Sequence, residues 1–86
     1  LPKSMFRLTD LEKLHLQHLK DLPEEIGQLS NLKVLVLWEC KTEHLPSTIG
    51  KLSNLEQLSL EFFWNLKSFP DEIGELKKLK KLSLHR

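Results

Sequence analysis

The chain has 86 residues, 40% of them hydrophobic and 29% charged, enough for one small domain with a thin stability margin. Lys and Arg number 13 against 12 Asp and Glu, and the resulting formal charge of +1 gives no global pull toward nucleic acid or an anionic membrane. The longest unbroken apolar run, Val34 to Trp38, falls far short of the ~20 residues a membrane span needs, and a single cysteine excludes an internal disulfide.

Apolar residues then recur on one frame from end to end. Leu1-Pro2, Met5-Phe6 and Leu8 match only the back of a unit. A whole unit follows in Leu11, Leu14, Leu16, Leu22-Pro23, Ile26-Gly27 and Leu29. The next runs Leu32, Leu35, Leu37, Cys40 at the ninth place, Leu45-Pro46, Ile49-Gly50 and Leu52. The third runs Leu55, Leu58, Leu60, Phe69-Pro70, Ile73-Gly74 and Leu76, and Leu79, Leu82 and Leu84 open another. Unit lengths of 21, 23 and 24 residues lie within the 20–29-residue period of leucine-rich repeats. The expected organisation is one repeat domain over 1–86, with full repeats at 11–31, 32–54 and 55–78 and partial ones at 1–10 and 79–86. Terminal repeats of solenoids carry polar caps, and their lack here suggests a piece of a longer array, with Phe6 as a small plug in the place of Gly.

The expected fold is α/β: a right-handed solenoid with a parallel β-sheet on its concave face and short helical or 3₁₀ turns on the convex one. Stretches such as Lys33 to Trp38 alternate as strands do, so Leu35 and Leu37 point one way and Val34, Val36 and Trp38 the other. Stacking coils about 4.8 Å apart then lines up Leu14, Leu35, Leu58 and Leu82 in one inner column and Leu16, Leu37, Leu60 and Leu84 in the next. Pro23, Pro46 and Pro70 suit the first position of the convex turns, with Met5, Ile26, Ile49 and Ile73 packing inward from them. Glu24-Glu25 and Asp71-Glu72 suit the positive start of such turns. All the length variation falls between the last strand leucine and the Leu-Pro or Phe-Pro pair: QHLKD, WECKTEH and EFFWNLKS. These exits are expected to border the sheet face.

Outward strand positions form a readable grid. Its columns are Lys13, Val34, Gln57, Lys81; His15, Val36, Ser59, Ser83; Gln17, Trp38, Glu61, His85; and His18, Glu39, Phe62, Arg86. An apolar centre of Val34, Val36, Trp38 and Phe62 inside a charged margin has the anchor-and-rim layout of protein interfaces. The candidate protein-binding residues are therefore Lys13, His15, Gln17, Val34, Val36, Trp38, Glu39, Glu61, Phe62 and Arg86. Trp64 in the longest exit is either a second anchor or part of an aromatic group folded over the core edge.

No residue pattern points to catalysis or to a cofactor. The repeat accounts for Cys40 as a small buried residue without pairing it to His44 as a nucleophile. His15 and His18 alternate to opposite faces of a regular strand, and no further ligand completes a metal site. Lys77, Lys78, Lys80, Lys81 and Arg86 form a basic cluster that solvation explains, and no phosphate-cradling Gly loop or RNA-binding motif accompanies it. The ninth-place column of Leu19, Cys40 and Phe63 excludes the asparagine ladder many repeats build there, leaving those turns to backbone bonds or water.

The Leu-Pro and Ile-Gly pairs in each unit resemble the intracellular leucine-rich repeat type of Ras-group-related and several bacterial repeat proteins. LEQLSLEFFWNLKSFP resembles the repeats of plant nucleotide-binding disease-resistance receptors, as do Cys40 at the ninth place and Leu66 at the twelfth. The resemblance implies a horseshoe whose inner sheet binds another protein, in innate immune or signalling recognition. A rival expectation is a substrate-recruiting segment of a larger enzyme, either a nucleotide-binding immune switch or a bacterial effector ubiquitin ligase. The expected partner is a protein, with neither nucleic acid nor membrane involved, and end-to-end self-association through uncapped repeats is a further expectation. No Asn stands two places before Ser or Thr, and with the lone Cys this favours the cytoplasm.

Overall fold

A computed structural model describes residues 7–85. The partial repeat's Leu1, Pro2, Met5 and Phe6, and Arg86 of the outer grid, lie outside the described residues. Period-two apolar alternation places four parallel strands side by side in chain order: β1 (Lys13–Gln17), β2 (Val34–Trp38), β3 (Gln57–Glu61) and β4 (Lys81–His85). Leu14, Leu35, Leu58 and Leu82 are in register across them, as are Leu16, Leu37, Leu60 and Leu84. The two inner columns expected from the sequence are therefore present.

Each strand entry is tied to the coil before it by one carbonyl that accepts from two successive amides. Glu12 O receives Lys33 N and Val34 N at 2.7 and 3.0 Å, Lys33 O receives Glu56 N and Gln57 N, and Glu56 O receives Lys80 N and Lys81 N. The repeated device fixes the register of each coil on the last.

The return segments carry 3₁₀ turns at Glu24–Gln28, Ser47–Lys51 and Asp71–Glu75. Pro23, Pro46 and Pro70 stand one position earlier than expected, as extended cap residues with ψ of 155°, 147° and 151°. The reason is the i→i+3 bonding of a 3₁₀ turn. Each proline supplies a carbonyl, to Ile26 N, Ile49 N and Ile73 N at 3.0–3.1 Å, while its missing amide is not needed.

The core lies between sheet and turns. Leu35, Leu37, Leu58, Leu60, Ile26 and Ile49 are fully buried, as is Phe63. Burial of this kind stabilises by roughly 1.5–3 kcal/mol per large apolar side chain. Leu82 departs from the expectation of an inner column: it is 45% exposed because no further coil covers β4 within the described residues.

Asparagines do bridge neighbouring coils, at the strand entries rather than at the ninth place past the strand exits. Asn31 Nδ2 donates to Thr9 O at 2.8 Å and Asn54 Nδ2 to Ser30 O at 2.9 Å, just before each strand. Lys78 occupies the equivalent place in the next coil and donates to Asn54 Oδ1 at 2.8 Å. The turns around the ninth place are bridged by main-chain bonds, such as Lys41 N to Leu19 O at 2.9 Å, and also by a side chain, Asn65 Nδ2, which donates to Lys41 O at 3.5 Å.

Candidate protein-binding surface

Parallel register builds the outer face of the sheet. Lys13, Val34, Gln57 and Lys81 stand in line, then His15, Val36, Ser59 and Ser83, then Gln17, Trp38, Glu61 and His85. Three of the four predicted columns are thus adjacent, and Lys13, His15 and Gln17 are exposed along β1. Val34 and Val36 are half-buried, filling the centre between neighbours.

The fourth column needs a different geometry. Strict alternation would turn His18, Glu39 and Phe62 inward, yet their φ values are 56°, 53° and 58°. A left-handed residue at each strand end reverses the alternation and keeps these side chains on the accessible side. This also brings His18 outward with His15 rather than to the opposite face. His18 Nδ1 lies 2.8 Å from Glu39 Oε2, and His85 Nδ1 lies 2.9 Å from Glu61 Oε2. Two candidate carboxylates are therefore engaged by histidines. Both pairs are solvent-accessible enough that their net worth is at most about 1 kcal/mol.

Aromatic rings run diagonally over these positions without a gap. The His15 and Trp38 centroids are 6.3 Å apart, Trp38 and Phe62 meet edge to face at 5.1 Å, and Phe62 and Trp64 are 5.8 Å apart. Trp38 is 37% exposed, Phe62 38% and Trp64 64%. Of the three exit-loop aromatics, Phe63 alone folds into the core, at the ninth place beside the column of Cys40 and half-buried Leu19. Trp64 instead extends the stripe off the sheet, so the sheet-face cluster and the exit-loop anchor are one feature.

The stripe ends in a cleft of about 300 Å³ that the sequence reading missed. Its lining includes Trp64, Leu19, Lys20 and Lys41, with the His18–Glu39 pair at one side. Trp64, on the eight-residue exit, lines this cleft together with residues from the exits of the two preceding coils. The greater length of that exit was the available signal.

Other candidates are separated by the fold. Of the basic cluster, Lys80 faces Glu56 at 4.0 Å, Lys78 bonds Asn54, and Lys81 joins the sheet register, so these three lysines take different surroundings. Cys40 is buried, and that burial, with the Asp21 charge adding to it, pushes its thiol above the ordinary value; the Thr42 amide hydrogen bond opposes the rise. A thiol held protonated in this way is a poor nucleophile. Among the described residues, no group of three or more His, Cys, Asp or Glu is placed to hold a metal ion, and no helix is long and apolar enough to cross a membrane.

A parallel sheet of in-register leucine columns, closed by 3₁₀ returns, defines a repeat solenoid. The family model for leucine-rich repeat regions matches residues 1–86, and the chain belongs to the leucine-rich repeat family. A leucine-rich repeat protein of Leptospira interrogans is similar over 99% of the chain, with 34% identity and a TM-score of 0.79. The leucine-rich repeat domain of the type III effector XopL is similar over 99%, with 26% identity and a TM-score of 0.87. The chain spans 28% and 32% of those two structures. No curated protein matches it.

Proposed function

We propose that the chain is a non-catalytic protein-interaction module that captures a protein partner on the exposed face of its sheet. The continuous run His15–Trp38–Phe62–Trp64 carries this reading, because exposed aromatic groups in contact with one another are the anchors interfaces use. Val34 and Val36 extend the apolar centre. Lys13, Gln17, Glu39 and Glu61 set specificity at its margin. The raised, buried thiol of Cys40 supports a module without chemistry of its own. The module works in the cytoplasm, in immune or signalling recognition of the kind the plant-receptor and Ras-group-related resemblance implies.

A second reading makes the repeats the substrate-recruiting arm of a larger enzyme. The similarity to a repeat domain of a type III effector, in which this chain matches only 32% of the length, favours it as an alternative. In both readings the same face does the binding.

Photo-crosslinkers placed at Val36 on the sheet and at Glu75 on the return side identify the partner that meets each face. With that partner purified, Trp38→Ser is expected to weaken the Kd at least about tenfold, the equivalent of about 1.4 kcal/mol, with circular dichroism unchanged. An unchanged Kd removes Trp38 from the site.

A further inference from the structure

Unpaired charge is distributed unevenly around the aromatic stripe. On the strand entries and exits, Glu12, Glu43 and Glu56 face lysine ammonium groups at 3.3–4.0 Å, and Glu39 and Glu61 face histidine Nδ1 atoms at 2.8 and 2.9 Å. Lys20 and Lys41, on the rim of the Trp64 cleft, have no ion-pair partner among the described residues. Within that cleft the single carboxylate, Glu39, is already held by His18. Asp21, the exit-loop acid without an ion-pair partner, is not part of the lining. The floor and wall are apolar, from Leu19 and the exposed Trp64 ring, and that ring is continuous with Phe62 and Trp38.

We infer that this cleft is a second subsite of the protein-binding face, and that it takes an apolar side chain of the partner flanked by carboxylates. The apolar group packs between Leu19 and Trp64. The neighbouring acids meet the ammonium groups of Lys20 and Lys41, which lose no internal pairing when they turn to a ligand. A basic segment meets unpaired like charge at the same rim and is rejected. The inference rests on the sheet-face reading, since the cleft is the end of the same aromatic run, and it adds the chemistry of the partner.

The sequence holds two tryptophans, so two indole N–H signals report separately on the sheet and on the cleft in proton–nitrogen NMR of the 86-residue chain. The probes are three capped peptides with a Phe-Leu centre flanked on both sides by acidic residues, by serines or by lysines. The acidic peptide is expected to shift the Trp64 indole and to bind about three- to tenfold tighter than the serine peptide at low salt, the advantage shrinking as salt is added. The lysine peptide is expected to be weakest. Replacing both exposed lysines, Lys20→Ser with Lys41→Ser, is expected to equalise the acidic and serine peptides while leaving circular dichroism unchanged. The proposal is overturned by a silent Trp64 indole, by equal binding of acidic and basic peptides, or by no binding of the acidic peptide. A Trp38 shift with Trp64 silent leaves the sheet-face reading standing and removes the cleft alone. Conversely, a native partner that crosslinks from Glu75 and not from Val36 removes the sheet-face reading even where Trp64 responds.

Discussion

Three residues in the left-handed region shape the binding face. His18, Glu39 and Phe62 each follow the last residue of a strand, and a non-glycine residue with φ near 55° is an uncommon conformation that costs about 1–2 kcal/mol. In return, Phe62 stays outside, where its edge-to-face contact with Trp38 holds both rings in place at about 0.5–1.5 kcal/mol. The inward place is left to the following residue, which is why Cys40 and Phe63 are buried. Cys40 in turn gives a pH dependence. Its thiol titrates higher in the fold than in the unfolded chain, so its contribution to stability is complete below the ordinary value of 9.0 and is lost as pH rises through and above it. Urea midpoints measured from pH 8 to 11 are expected to fall less steeply for Cys40→Ala than for the parent; parallel curves would show that the thiol is not the source.

Contacts between successive coils depend on glycines in the return turns. A Cβ on Gly27 would meet Thr48 O at 2.8 Å and Thr48 Cβ at 2.9 Å, and one on Gly50 would meet Glu72 Cβ and O at 2.9 Å. Gly74 has open space around it and no positive φ. Gly50→Ala should therefore destabilise by about 1–3 kcal/mol through overpacking against backbone. Gly74→Ala should stabilise by about 0.4–1 kcal/mol by restricting the unfolded chain. Thermal melts of the two variants check the contrast, and equal shifts would contradict the coil spacing.

The same turns mark where sequence reasoning succeeded and where it stopped. Strand register was legible because leucines three and two apart fix which face is inward. The Ile-Gly pairs were legible as a pattern, but the reason for Gly27 and Gly50 was not, since it lies in atoms of the next coil, 21 and 22 residues away. The asparagine bridges escaped for the same cause: Asn31 and Asn54 donate to carbonyls 22 and 24 residues back, outside the place where such ladders were sought. On the binding face, the first three columns of the grid followed from alternation, whereas the fourth depends on the left-handed residues His18, Glu39 and Phe62. The union of Trp38 with Trp64 did not follow from it, because an exit loop has no period to read.

Stacked coils share one core, so a side chain's importance follows its place in the stack. Leu58 is enclosed by coils on both sides and is fully buried, whereas Leu82 on the last described strand is 45% exposed. Leu58→Ala is expected to cost about 2–5 kcal/mol and Leu82→Ala under about 1 kcal/mol, read from urea unfolding. Similar losses at both positions would mean that β4 is covered in solution, which light scattering over a concentration series would register as self-association through that end.

The sheet carries its aromatic diagonal of Trp38, Phe62 and Trp64 on an exposed face. Hydroxyl-radical footprinting of the chain, alone and with its purified protein partner, tests most directly whether docking occurs there. Oxidation of Trp38, Phe62 and Trp64 is expected to fall on complex formation, while Glu75 and the rest of the return side keep their reactivity. Unchanged oxidation at Trp38, with protection confined to the 3₁₀ turns, would contradict it.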